Sequence, residues 1–289
     1  MLTKARNESQ DLLIVSYLNL RMNLPAQDTQ NLIKLNKGYE GEVKFDELTN
    51  NLQCECMILH DLLLKFNNTM FQIETIIITS ETIYLFEVKN YEGDFYYESD
   101  RLYMLSKTEV MNPLTQLKRT ESLLRQLLKN LGLNFPISGW VVFINPEFTL
   151  YQAPQNIPFI FPTQLNRFFK QLNVNPVKLE RKHKILAEKL IALHHSVSPY
   201  KQLPSYHYEQ LKKGIPCMEC QSFSIAVEGQ RCICQECGFE ETVSDSVMRN
   251  VKEFKLLFPN EKITTNIIYD WCKVVTSKKR IKRILEKEF

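Results

Sequence analysis

No apolar run in the 289 residues approaches the roughly 18 needed to cross a bilayer. The stretch from Leu12 to Leu20 is broken by Ser16, Tyr17 and Asn19, and no small-residue cleavage site follows it, so neither a membrane span nor a secretory signal is expected. Glycine (8) and proline (12) are sparse, which excludes collagen-like, low-complexity and wholly disordered chains. No internal repeat is visible, and no Ser/His/Asp arrangement emerges: His194 and His195 are read as neighbours on a helix, pointing about 100° apart. What is present is a globular composition, 44% hydrophobic and 24% charged, with length enough for about two domains.

The net charge of +3 is unevenly spread. Residues 245–289 hold 11 Lys/Arg against 6 Asp/Glu, while the rest of the chain is slightly acidic. A basic tail facing a polyanion is the expectation. Eight cysteines without a secretion signal suggest a reducing, cytoplasmic setting in which paired cysteines bind metal.

Changes of period and Pro/Gly clusters divide the chain into an N-terminal helical arm (1–36), an α/β region (37–195), a linker (196–214) holding Pro199 and Pro204, a cysteine-rich segment (215–242) and a basic helical segment (243–289). The arm is read as a short helix followed by a polar linker around Pro25 to Gln30. The α/β region reads as a helix over 40–52, apolar β-rich runs at 56–64, 70–79 and 82–89, and a hairpin at 94–105. A helix opened by Asn112-Pro113 follows, then strands at 137–144 and 157–161 and helices at 163–172 and 179–195. This order describes a mixed sheet flanked by helices.

The runs 70–79 and 82–89 are joined across Ser80-Glu81, a loop short enough to force a hairpin. Its even length sets Glu74 opposite Glu87 and Gln72 opposite Lys89, on the face shared with Ile76 and Ile78. Two carboxylates directly opposed repel each other, and a divalent cation such as Mg²⁺ or Mn²⁺ relieves that repulsion with oxygen ligands. Lys89, one pleat beyond Glu87, is placed to reach a bound water or a phosphate. On the helix over 40–52, Glu42 lies on the side of Phe45, Leu48 and Leu52, beside Gly41, which permits close packing. Gln116, in the first turn of the helix opened by Pro113, can orient a ligand through its amide.

Cys217-x2-Cys220, then thirteen residues, then Cys234-x2-Cys237-Gly238 has the spacing of a four-thiolate zinc site. A hairpin turned at Gly229 is expected to join the two knuckles into a zinc ribbon. Four protein ligands close the site, so the role is structural. Cys232 in place of Cys234 would spoil the spacing, and Cys54, Cys56 and Cys272 read as buried small hydrophobes.

Beyond Asp245 three helices are legible, about 245–258, 265–272 and 277–288, the last two resembling a helix-turn-helix. In the last, Ile281, Ile284 and Leu285 form the buried stripe, with Ile268 and Trp271 as partners. Lys278, Lys279, Arg280, Lys282 and Arg283 form a cationic cluster suited to phosphate contacts.

The segments Gly38-Tyr39-Glu40-Gly41-Glu42, Gln72-Ile73-Glu74, Glu87-Val88-Lys89-Asn90-Tyr91 with Gly93, and Asn112-Pro113-Leu114 with Gln116 resemble the successive motifs of the nuclease-related domain (NERD) family, over about 38–145. That family is itself similar to the PD-(D/E)xK restriction-endonuclease-like superfamily. The chain departs from it in one respect: Glu74 stands where the family usually has Asp.

The resemblance implies a restriction-endonuclease-like α/β fold and a metal-dependent phosphodiesterase. It implies Glu42, Glu74 and Glu87 as ligands to Mg²⁺ or Mn²⁺ and Lys89 as the electrostatic and water-positioning group, with Gln116 in the same motif set. A nuclease acting on DNA in preference to RNA, held by the ribbon and the basic tail, is the leading expectation. Two others stand beside it: a nucleic-acid-binding or regulatory protein that no longer cuts, and a ribbon and tail that dock a protein partner instead of DNA; a homodimer is a further expectation.

Overall fold

The structure, a computed structural model, describes residues 2–174, 178–196 and 203–288. In chain order the elements are β1 (Leu2–Lys4), α1 (Gln10–Arg21), α2 (Ala26–Asn50), β2 (Met57–Phe66), β3 (Thr69–Ile78), β4 (Ile83–Lys89), β5 (Gly93–Glu98), β6 (Arg101–Met104) and β7 (Glu109–Val110). They continue with α3 (Pro113–Asn130), β8 (Ile137–Phe143), β9 (Phe148–Tyr151), β10 (Phe159–Ile160), α4 (Leu165–Asn173) and α5 (Arg181–Ala192). Last come β11 (Ile225–Glu228), β12 (Arg231–Cys234), β13 (Glu240–Thr242), α6 (Val243–Leu257), α7 (Thr265–Cys272) and α8 (Lys278–Glu288).

The chain packs as two units, residues 1–8 with 34–200, and residues 9–33 with 201–289. The expected N-terminal arm is thus shared: β1 belongs to the first unit and α1 to the second. Of the expected linker, residues 197–202, including Pro199, lie outside the described residues.

The first unit is mixed α/β. Its six-stranded sheet has the order β1-β2-β3-β4-β8-β10, antiparallel from β2 to β4 and parallel where β1, β8 and β10 join. One face buries Ile76, Ile78, Ile83 and Leu85 against α3 residues Leu117 and Leu124 and α5 residues Leu186 and Leu190. The other buries Ile77, Phe86 and Val88 with Phe45 of α2 and Phe169 of α4. Each strand therefore carries apolar side chains on both faces, which is why these runs read as continuous hydrophobic stretches. A second sheet of order β7-β6-β5-β9 follows β4, and its β5–β6 pair is the hairpin expected at 94–105.

Three sequence expectations are corrected here. The polar stretch from Pro25 to Gln30 is the first turns of α2, not a linker. Pro25 precedes the first helical residue, and its carbonyl accepts from the Thr29 amide at 3.0 Å, so the proline sits where its missing N–H costs nothing. The polar composition hid the helix because periodicity is a signal of burial. Secondly, His194 and His195 lie beyond the end of α5. His194 Nδ1 accepts from the Leu63 amide at 3.1 Å and the His195 amide donates to the Leu63 carbonyl at 2.8 Å, so both extend the edge of β2. Thirdly, Gln72 does not face Lys89; its side chain is exposed and donates to Asp61 Oδ1 at 3.0 Å.

The second unit has one shared core. Val243, Val251 and Phe254 of α6, Ile268 and Trp271 of α7, and Ile281, Ile284 and Leu285 of α8 pack with Ile14 and Leu18 of α1 and Cys232 of the ribbon. The ribbon and the helical segment are therefore not separate cores. Thr264 caps α7, its hydroxyl accepting from the Ile267 amide at 3.3 Å. Arg21 is buried in this unit, paired with Glu253 at 2.5 Å and lying 4.0 Å over the Trp271 ring.

Candidate active site

The hairpin between β3 and β4 forms as its length requires. Thr79 and Thr82 close it, the Thr79 hydroxyl donating to the Thr82 carbonyl at 2.9 Å and accepting from the Thr82 amide at 3.2 Å. Ile78 then pairs with Ile83, Ile77 with Tyr84, Ile76 with Leu85 and Thr75 with Phe86. The ladder stops there, and β4 continues beside β8, with Glu87 opposite Val141 and Lys89 opposite Phe143. Glu74 and Glu87 lie where β3 and β4 part, on the face of Ile76 and Leu85.

The parting strands leave polar groups to be satisfied by side chains. A carboxylate oxygen of Glu74 accepts the Val88 amide, taking the place of a ladder carbonyl. Lys89 Nζ donates to Glu87 Oε1 at 2.5 Å. Glu87 is 3% exposed and Glu74 9%, so both acids are withdrawn from solvent. Burial first, and then the charge of the neighbouring Glu74, push Glu87 up to about 8 against the pull of Lys89. Burial alone would depress Lys89, but the Glu74 and Glu87 carboxylates outweigh it and hold the ammonium above its ordinary range.

Glu42 reaches the same place from α2. Its helix packs close to the end of β4 because Gly41 has no side chain: a Cβ there would lie 2.6 Å from Asn90 Cβ. The Asn90 amide also donates to the Lys37 carbonyl of α2 at 2.7 Å. Burial and then the charge of Glu74 raise Glu42 to about 7, with Arg6 opposing. Gln116 is half-buried in the first turn of α3, whose N-cap Asn112 accepts from the Leu114 amide at 3.0 Å.

Residues 37–144 match the nuclease-related domain (NERD) family. The match spans α2 from its middle, β2 to β7, α3 and β8, and so contains Glu42, Glu74, Glu87, Lys89 and Gln116. No curated protein and no solved structure matches the chain. A nuclease-related function follows for this segment, and among the described residues no helix is long and apolar enough to cross a membrane.

The nuclease-related site offers oxygen donors alone, the set suited to a hard divalent cation. One oxygen of each acid is already engaged: Glu42 by Arg6, Glu74 by the Val88 amide and Glu87 by Lys89. The three do not form a compact ligand cluster on their own: among the described residues, the group that brings its ligand atoms within 4.8 Å of one another is Cys217, Cys220, Cys234 and Cys237.

That cysteine group lies on two knuckles closed by Gln221 N–H to the Cys217 carbonyl at 3.1 Å and Gly238 N–H to the Cys234 carbonyl at 2.9 Å. Gly238 at φ +76° and Gly229 at φ +56° take the left-handed backbone these turns need. Cys217 and Cys237 sulfurs are 3.6 Å apart, and Cys220 and Cys234 3.5 Å. A tetrahedron of sulfurs about 2.3 Å from zinc has edges of roughly 3.8 Å, so the four thiols can hold a structural metal such as zinc. Cys232, two residues before Cys234 on β12, is buried in the core of the unit instead.

Of the five expected phosphate-binding cations on α8, Lys278, Lys279, Lys282 and Arg283 are exposed, and Lys282 pairs with Glu286 at 3.7 Å. Lys278 donates to Asn266 Oδ1 at 3.1 Å, and Arg280 to the Gly229 carbonyl of the ribbon turn at 2.7 Å, so these two brace the unit.

Sequence reasoning missed Arg6 and Asp46. Asp46 stands one helical turn after Glu42, a spacing that places both on one face and was readable. Arg6 lies in a segment with no periodic pattern, and nothing in the sequence marks it.

Proposed function

We propose that this protein is a Mg²⁺- or Mn²⁺-dependent nuclease that hydrolyses phosphodiester bonds in DNA. The observation that carries the reading is the burial of Glu74 and Glu87 together at the parting of β3 and β4, with Glu74 on the Val88 amide and Lys89 on Glu87 at 2.5 Å. Glu42, Glu74 and Glu87 are the groups to hold the cation, which when bound supplies an ionised water at neutral pH and positive charge for the phosphate oxygens. Lys89 orients the attacking water and adds charge beside the scissile phosphate. The aliphatic and aromatic walls of the sheet exclude bulk water from the acids, and Gln116 orients the substrate or its water. Zinc on the four cysteines holds the ribbon, and the exposed cations of α8 bind the DNA backbone. The ribbon (215–242) and the basic segment (243–289) are the binding part, and residues 37–195 the cutting part.

The test is cleavage of plasmid and single-stranded DNA with Mg²⁺. Glu87→Ala and Lys89→Ala should each abolish cutting while DNA binding persists. A second reading, a nucleic-acid-binding or regulatory protein that does not cut, is favoured by the engagement of Glu74 with Val88 and by the looser spacing of the three acids. It predicts metal-independent binding and no cleavage with any divalent ion.

A further inference from the structure

Two residues after β1, Arg6 enters the acidic site from outside the matched family segment. Its side chain is 5% exposed and every nitrogen of the guanidinium is used. Nε donates to Asp46 Oδ2 at 2.8 Å and NH2 to Asp46 Oδ1 at 3.0 Å, a two-pronged fork on one carboxylate. NH1 donates to Glu42 Oε2 at 2.5 Å, and NH2 also to the Glu74 main-chain carbonyl at 2.9 Å.

That carbonyl is free to accept for a local reason. The β2–β3 ladder pairs His60 with Thr75 and Leu62 with Ile73, and skips the position between, where Asp61 takes φ +51°. One planar group therefore ties a helix residue, Glu42, to a strand residue, Glu74, with Asp46 as its anchor. Because Glu42 and Glu74 come from different elements, their separation depends on the guanidinium that bonds to both.

We propose that Arg6 is a positioning residue, a clamp that sets the spacing of Glu42 and Glu74 for the divalent cation; the proposal rests on the metal-dependent reading above. A positive group near a cation also repels it, so removing Arg6 sets lost geometry against lost repulsion, and the direction of the change decides between clamp and mere counter-charge.

Mn²⁺ alone is titrated into the full, zinc-loaded chain, bound ion being read from the loss of the free-ion paramagnetic resonance signal. The unaltered protein is compared with Arg6→Gln, Arg6→Lys, Asp46→Asn and Glu87→Gln, each with its thermal unfolding. Orienting partners of metal ligands are worth roughly 10–100-fold in affinity, and a loss of that order is expected in both Arg6 variants. Lysine should do no better than glutamine, because an ammonium cannot span the three acceptors. Asp46→Asn removes the anchor without altering Glu42, Glu74 or Glu87 and should weaken binding in the same direction; it carries the test if the Arg6 variants do not fold. Unchanged or tighter Mn²⁺ binding in folded Arg6→Gln, full affinity in Arg6→Lys, or unchanged affinity in Asp46→Asn overturns the clamp while the metal site stands. Mn²⁺ binding that is missing from the unaltered protein, or indifferent to Glu87→Gln, overturns the metal-site reading and the clamp with it.

Discussion

The Glu74 side chain accepts the main-chain amide of Val88, one residue beyond Glu87 on the neighbouring strand. The ladder between their strands has already ended at Thr75 and Phe86, so a carboxylate stands in for a carbonyl and is tied to β4 as a result. The second methylene of the Glu74 side chain has a physical role here: it lets the carboxylate reach across a gap that backbone pairing has abandoned.

Glu74→Asp should therefore leave the Val88 amide, on a residue only 6% exposed, without its acceptor. A buried donor left unmet costs about 1–3 kcal/mol, which denaturant unfolding would register as a lower midpoint at unchanged slope. Full stability in Glu74→Asp would mean that the bond contributes nothing.

His60 is buried between Thr75 Oγ1 at 3.1 Å and Asp46 Oδ1 at 3.0 Å, and burial pushes its imidazole down from 6.5 to about 4, the Asp46 carboxylate only partly opposing. Between those values the unfolded chain binds the extra proton and the folded chain does not. The contribution of His60 is thus complete above pH 6.5 and is lost as the pH falls toward 4. Denaturant unfolding of the protein and of His60→Gln across this window should show the difference between them shrinking with acid; a constant difference would contradict the assignment.

Much of this site is legible in the sequence because it follows from local rules. A loop as short as Ser80-Glu81 leaves one register, which sets Glu74 and Glu87 just past the last ladder pair, Thr75 and Phe86. Cysteine spacing and the stripe of Ile281, Ile284 and Leu285 are legible for the same reason. What escapes is non-local or unpatterned. The hairpin register holds only as far as Thr75 and Phe86, where the strands part, so extending it to Gln72 misplaces that residue. The front of α2 is polar and buries little, so no periodicity announces it. Arg6 acts on residues 36 and 40 positions away, and only the parallel pairing of β1 with β2 brings it there.

Removing the metal from the cysteine cluster should loosen the second unit. A ribbon this small has little core of its own, and metal binding supplies much of its folding energy. Trp271 lies in the same core as Cys232, so in a Trp140→Phe background chelation should shift the fluorescence to the red. Unchanged emission after verified metal loss would show that the ribbon stands without it.

Because Lys278 and Arg280 already have partners within the chain, Lys279 and Arg283 are the better test of DNA binding by α8. Each cation–phosphate interaction removed should reduce the slope of log affinity against log salt by about 0.9, so the double alanine variant should lower it by roughly 2. An unchanged slope in gel-shift titrations would assign α8 to packing or to a protein partner.

The most direct measurement is an anomalous difference map from crystals soaked in Mn²⁺. A peak shared by the Glu74 and Glu87 carboxylates, with Lys89 beside it, is the expected result. A map with no density between those two side chains, at Mn²⁺ concentrations that saturate cleavage, would contradict the metal-dependent site.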